Sequence, residues 1–125
     1  MEDKTIIFSS EHPSREACTS YSLAIDDALY AIGGKWKLKI ITALLDGSLR
    51  FNELQRGVKG ISATVLSHEL KELELNGFVV RRIVETYPAM INYELSEYSY
   101  TLKEVIIALC KWGVSHREWI RSRAI

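Results

Sequence analysis

Between positions 62 and 71 the chain carries Ser62, Ala63, Thr64, Ser67, His68 and Lys71, which offer hydroxyl, imidazole and ammonium groups at helical spacing. At about 100° per residue, Thr64, Ser67, His68 and Lys71 share one side of a helix, with Ala63 at its edge. Leu66, Leu70 and Leu73 share the opposite side. Such a polar face can meet the donors and acceptors on base-pair edges, and the Ala63 or Thr64 methyl suits a thymine methyl. The same pattern describes the solvated face of any amphipathic helix, and this segment alone leaves the two open. Arg81 and Arg82 follow; neighbours on a strand point to opposite faces, so only one of them faces a given groove or phosphate. Lys35, Lys37, Lys39, Arg50 and Arg56 are cations of the kind that hold a nucleic-acid backbone without reading its sequence. Taken singly, each also serves solubility.

Other chemistry is harder to assemble. His12, His68 and His116 lack the HExxH or any comparable metal spacing, and no Ser/His/Asp set, Gly-rich phosphate loop or carboxylate pair stands out. No catalytic residue, metal or cofactor is expected, and the chain reads as a non-enzyme. Cys18 and Cys110 form no CxxC and sit in no Cys/His cluster, which argues against structural zinc and against a disulfide framework. Cys18 lies just before the expected first helix, where aligned N–H groups favour a thiolate, although Glu16 opposes it. Cys110, beside the apolar stretch from Val105 to Leu109, is expected to be a buried packing residue.

The elements that must position these groups follow from periodicity and breakers. Residues 1 to 17, with His12-Pro13-Ser14, read as an N-terminal arm, and 18 to 125 as one domain. From Ser20, Leu23, Ala24, Ala28, Leu29 and Ile32 recur at helical spacing, and Gly33-Gly34 ends that helix. A second helix is expected from Lys35 to about Leu45. After the short extended Leu49-Arg50-Phe51 comes a brief helix over 52–58. A longer one, capped by Ser62, runs to about Leu75 before Asn76-Gly77. The segments 78–84 and 91–95, turned at Tyr87-Pro88-Ala89, form a β-hairpin. A last helix runs from Glu97 or Thr101 to Arg121. A short helix, a Gly-containing turn, a longer capped helix and then a hairpin make a helix-turn-helix with a wing. The expected class is mainly α (α+β). Leu102, Val105, Ile106, Leu109, Trp112, Trp119 and Ile120 cover more of the last helix than its own domain can bury, so this helix is expected to form a homodimer interface.

The formal net charge is zero, but it is unevenly spread. Residues 1–34 sum to −4 and residues 35–82 to +4, the remainder balancing. A polyanion responds to that local potential rather than to the total. No signal peptide or membrane-length apolar run is visible, so a cytoplasmic, membrane-free protein is expected.

Several runs together resemble the HxlR-type family of winged helix-turn-helix transcriptional regulators, which are MarR-like in their winged helix. They are Ala28-Leu29-Tyr30-Ala31-Ile32-Gly33-Gly34-Lys35-Trp36, Leu49-Arg50-Phe51-Asn52-Glu53-Leu54, Gly60-Ile61-Ser62, Leu70-Lys71-Glu72-Leu73-Glu74-Leu75-Asn76-Gly77-Phe78-Val79 and Tyr93-Glu94-Leu95-Ser96. The likeness spans about Cys18 to Trp119, with Cys18-Thr19 where the family has Cys-Pro, Ala63-Thr64 in place of its polar or basic pair, and Met90 in place of a basic residue near the wing tip. The resemblance implies a homodimer on a double-stranded DNA operator. Its site would comprise Ser62, Ala63, Thr64, Ser67, His68, Lys71, Arg81, Arg82, Lys37 and Arg50. It also makes Cys18 a candidate sensor of oxidants or electrophiles, since some family members sense through a cysteine near this position. A winged-helix module that binds a protein or a small effector without binding an operator is the alternative.

Overall fold

The structure is a computed structural model that describes residues 15–84, 88 and 90–123. The chain divides into two units, residues 1–34 and 35–125. In the first, α1 spans Arg15–Ile32 and so starts five residues before the apolar spacing predicts. Arg15, Glu16, Cys18 and Thr19 are all exposed, so no hydrophobic period marks that turn. Glu16 suits the helix N-terminus, and the Thr19 hydroxyl donates to the Arg15 carbonyl at 3.0 Å. The expected arm therefore loses its last three residues to α1, and its first fourteen lie outside the described residues. Gly34, at φ 96°, ends the segment where a Cβ would be strained.

The second unit runs α2 (Lys37–Leu44), β1 (Leu49–Arg50), α3 (Phe51–Gly57), α4 (Ala63–Leu75), β2 (Val79–Val84), β3 (Met90–Leu95), a 3-10 helix (Glu97–Leu102) and α5 (Lys103–Arg123). The three strands form one antiparallel sheet in the order β1-β3-β2. Apart from Pro88, the expected hairpin turn at Tyr87 and Ala89 lies outside the described residues.

Helix α4 has the start and stop its sequence specifies. Ser62, in extended conformation, accepts the Val65 N–H at 3.1 Å. At the other end Gly77 takes φ 81°, its N–H reaching the Glu74 carbonyl and the Phe78 N–H the Leu73 carbonyl at 2.9 Å. This Schellman closure delivers the chain directly into β2. The hydroxyls of Ser96 and Ser99 donate to the Gly77 and Phe78 carbonyls, tying the exit of α4 to the start of the 3-10 helix.

Beneath α4 lies the core of the second unit. Leu66, Leu70 and Leu73 are at most 1% exposed and are joined in the core by Ile40, Ile41 and Leu44 from α2, Leu54 from α3 and Phe78, Val79 and Leu95 from the hairpin. Each fully buried leucine is worth roughly 1.5–3 kcal/mol of transfer free energy. The winged helix-turn-helix with a long C-terminal helix is therefore the fold expected from the sequence.

Candidate nucleic-acid interface

Ala63, Thr64, Ser67, His68 and Lys71 line one open recess on the outward side of α4, and all five are exposed, as is Ser62. The three leucines of the inward face fix the helix's rotation, so the polar side cannot turn away without unpacking the core. Arg81 joins this surface. It lines a second recess with Ser67, Lys71, Glu74 and Tyr93, so hydroxyl, ammonium and guanidinium groups run from α4 onto the wing with the Glu74 carboxylate among them.

Arg82 points to the other side of the sheet, as strand alternation requires, and its guanidinium pairs with Glu94. Arg50 pairs across the sheet with Asn92 on that same side and is exposed. Lys37 has a different job from the phosphate contact expected of it. Its side chain is only 12% exposed, and its ammonium lies 2.8 Å from Glu69 and 2.7 Å from Glu72, both on α4. Lys37 thus braces α2 against the inward edge of α4, and its charge is already matched. The hydrogen bonds to Glu69 and then Glu72 raise the Lys37 pKa above its usual value. The bond from Lys37 holds the Glu72 carboxyl below the usual carboxylate range. Glu72 also meets His68 Nε2 at 3.3 Å, so one carboxylate links the brace to the outward face. His68, Glu69 and Glu72 have the donor types of a metal site, but the Lys37 ammonium fills the place of a cation between the two carboxylates. Lys35 and Lys39 lie over the Trp36 ring, 4.8 and 5.2 Å from its centroid.

From Leu102 at the end of the 3-10 helix and on along α5, Val105, Leu109, Trp112, His116 and Trp119 follow at alternating spacings of three and four, the seam of a helix that packs on another helix. Trp112 is 65% and Trp119 53% exposed. His116 stacks between them, its ring centroid 4.7 Å from that of Trp112 and 5.7 Å from that of Trp119. Ile106, assigned to the same interface from sequence, is instead buried in the chain's own core at 6% exposure, whereas Ile120 is exposed. Cys110, expected to be buried, is exposed because α5 beyond Ile106 has left the core. Cys18 is exposed too, but it sits within the first turn of α1 rather than before it.

The profile of HxlR-like helix-turn-helix proteins matches residues 31–121. The chain belongs to the HxlR-like helix-turn-helix family. Among its relatives is YtcD of Bacillus subtilis (strain 168), named as an HTH-type transcriptional regulator and 38% identical over 96 residues, which cover 77% of this chain and 76% of YtcD. The redox regulator HypR in its reduced form superposes with a TM-score of 0.73 at 34% identity over 79% of this chain and 98% of HypR. Diamide-treated YodB from B. subtilis gives 0.63 at 32% identity, covering 74% of this chain and 91% of YodB. As an HxlR-like protein the chain is a transcriptional regulator and not an enzyme. Among the described residues no helix is long and apolar enough to cross a membrane.

Sequence reasoning found the outward face of α4 but missed Glu69 and Glu72 as the partners of Lys37, and His116 as part of the α5 seam. The three-four spacing that contains His116 was available as a signal. The pairing of Lys37 was not, because its partners lie more than thirty positions away on another helix.

Proposed function

We propose that this HxlR-like regulator binds an inverted-repeat DNA operator as a homodimer, each copy laying the outward face of α4 in a major groove. The observation that carries this reading is the division of α4. Leu66, Leu70 and Leu73 are buried, while Thr64, Ser67, His68 and Lys71 stand exposed in one recess that continues to Arg81. Hydroxyl, imidazole and ammonium groups on a rigid, capped helix suit base edges, and Arg81 suits an adjoining phosphate. The half-exposed tryptophans of the α5 seam support the dimer, with Leu102, Val105, Leu109, Trp112, Trp119 and Ile120 contributing and Ile106 serving its own core. The test compares affinity for a duplex selected by the parent with thermal stability. Ser67→Ala and His68→Ala should lose roughly 1–3 kcal/mol of specific binding per base contact while still folding normally. Folded variants of unchanged affinity would favour a winged-helix interaction module instead.

A redox response through Cys18 is supported by its exposed position on α1 and by the likeness to the redox regulator HypR and to diamide-treated YodB. Diamide would join the Cys18 thiols of two copies in a disulfide, taking their two protons and two electrons and being itself reduced to the hydrazine. Treatment should change DNA affinity in the parent and in Cys110→Ser but not in Cys18→Ser. Equal responses in all three would remove Cys18 from the role.

A further inference from the structure

The side of the sheet away from α4 carries a second cluster of donors. Asn92, in the central strand, pairs directly with Arg50 on one side and Arg82 on the other. Directly opposed residues of an antiparallel ladder project to the same face, so these three side chains form one row across all three strands. Beside the row, Ser48, Arg50, Asn52, Glu53, Arg56 and Asn92 line an open recess of about 500 Å³ between the sheet and α3. Its donors are two guanidinium forks, two carboxamide NH2 groups and a hydroxyl. Of the acids present, Glu53 is turned to the backbone and accepts the Arg50 N–H at 2.9 Å, and Glu94 is paired with Arg82. The Arg50 and Arg56 charges therefore face the recess without a carboxylate partner among the described residues.

We propose that this recess seats a phosphate of the DNA backbone, a contact separate from the surface of α4 and Arg81. The proposal rests on the DNA-binding reading above and deepens it. Planar guanidinium forks match phosphate oxygens in pairs. Donors arriving from β1, α3 and β3 suit a tetrahedral anion approached from several sides. The recess is open, so a polymer can run through it, as a DNA strand must. The seat also belongs to α3, the first helix of the helix-turn-helix, and so fixes the docking angle of α4 without reading bases.

Arg56→Gln and Arg50→Gln test the seat. Arg56 is exposed in the last turn of α3, and the cap at Arg50 uses its backbone N–H, so both variants keep the local structure. Binding to a short mixed-sequence duplex is measured across a salt series, beside thermal melting and a phosphorus NMR titration with inorganic phosphate. Each variant should flatten the slope of log K against log salt by about 0.9, one phosphate's worth. Affinity should fall several-fold, and equally, for the mixed sequence and the selected operator, whereas Ser67→Ala should change only the ratio between them. Unchanged slopes in both folded variants overturn the seat and leave the α4 reading standing. Inorganic phosphate binding that is lost in Arg56→Gln while the DNA slope is unchanged assigns the recess to free phosphate and also overturns it. A parent that binds no duplex at any salt overturns the α4 reading and the seat together.

Discussion

Lys37 and Glu72 show how a residue's type underdetermines its work. A lysine near the start of a helix in a basic segment suits a phosphate, yet this one is spent on two carboxylates of α4. Because the folded Glu72 pKa is lowered, its contribution to stability is present above the ordinary carboxylate value of about 4.5 and is lost as pH falls through the lowered one. The raised Lys37 pKa contributes fully below its ordinary 10.5 and is lost as pH rises through the raised value. The brace therefore acts across the whole neutral range. Lys37→Met should lower the melting temperature at pH 7 and shrink the difference in melting temperature between pH 7 and pH 3. An identical acid limb in parent and variant would show that the pair contributes nothing. The same contrast of matched and unmatched charge separates the wing arginines. Arg81→Ala should weaken binding to all sequences and flatten the salt slope by about one contact, and Arg82→Ala, already neutralised by Glu94, should do less. Salt titrations of the two variants decide this, and a larger loss in Arg82→Ala would reverse the assignment.

Helix α4 was the most legible element because everything that specifies it is local. Ser62 caps it, Leu66, Leu70 and Leu73 give its period, and Asn76-Gly77 ends it. Leu70→Ala should cost about 2–4 kcal/mol of stability through the cavity it leaves. DNA affinity should then fall only as the folded fraction falls, which a chemical denaturation curve read beside binding can separate. The start of α1 was illegible because Arg15, Glu16, Cys18 and Thr19 carry no apolar period. The Arg50-Asn92-Arg82 row was illegible for another reason. Each residue was visible, but only the register of β3 between its neighbours puts the three on one face. Likewise, Cys110 looked like a core residue because its neighbours are apolar, and apolar sequence does not distinguish a core from an interface.

At the scale of the molecule, that ambiguity becomes the argument for a second copy. Val105, Leu109, Trp112, Trp119 and Ile120 are each more than two-fifths exposed. Trp112→Ala should shift the monomer–dimer equilibrium towards monomer by roughly 2 kcal/mol or more, as for a central aromatic anchor. Sedimentation across a concentration series reads it, and a parent that stays monomeric at micromolar concentration would contradict the dimer. Two-fold symmetry would then carry the pair of α4 helices onto one face of a duplex. The most direct test is selection of bound sequences from a random duplex library by the full chain, with the Thr64→Ala, Ser67→Ala double variant run in parallel. The account predicts an inverted repeat whose half-sites lie about one helical turn, ~34 Å, or a multiple of it apart, with weakened base preference in the variant. No enriched sequence, or the same sequence enriched equally by both proteins, would contradict it.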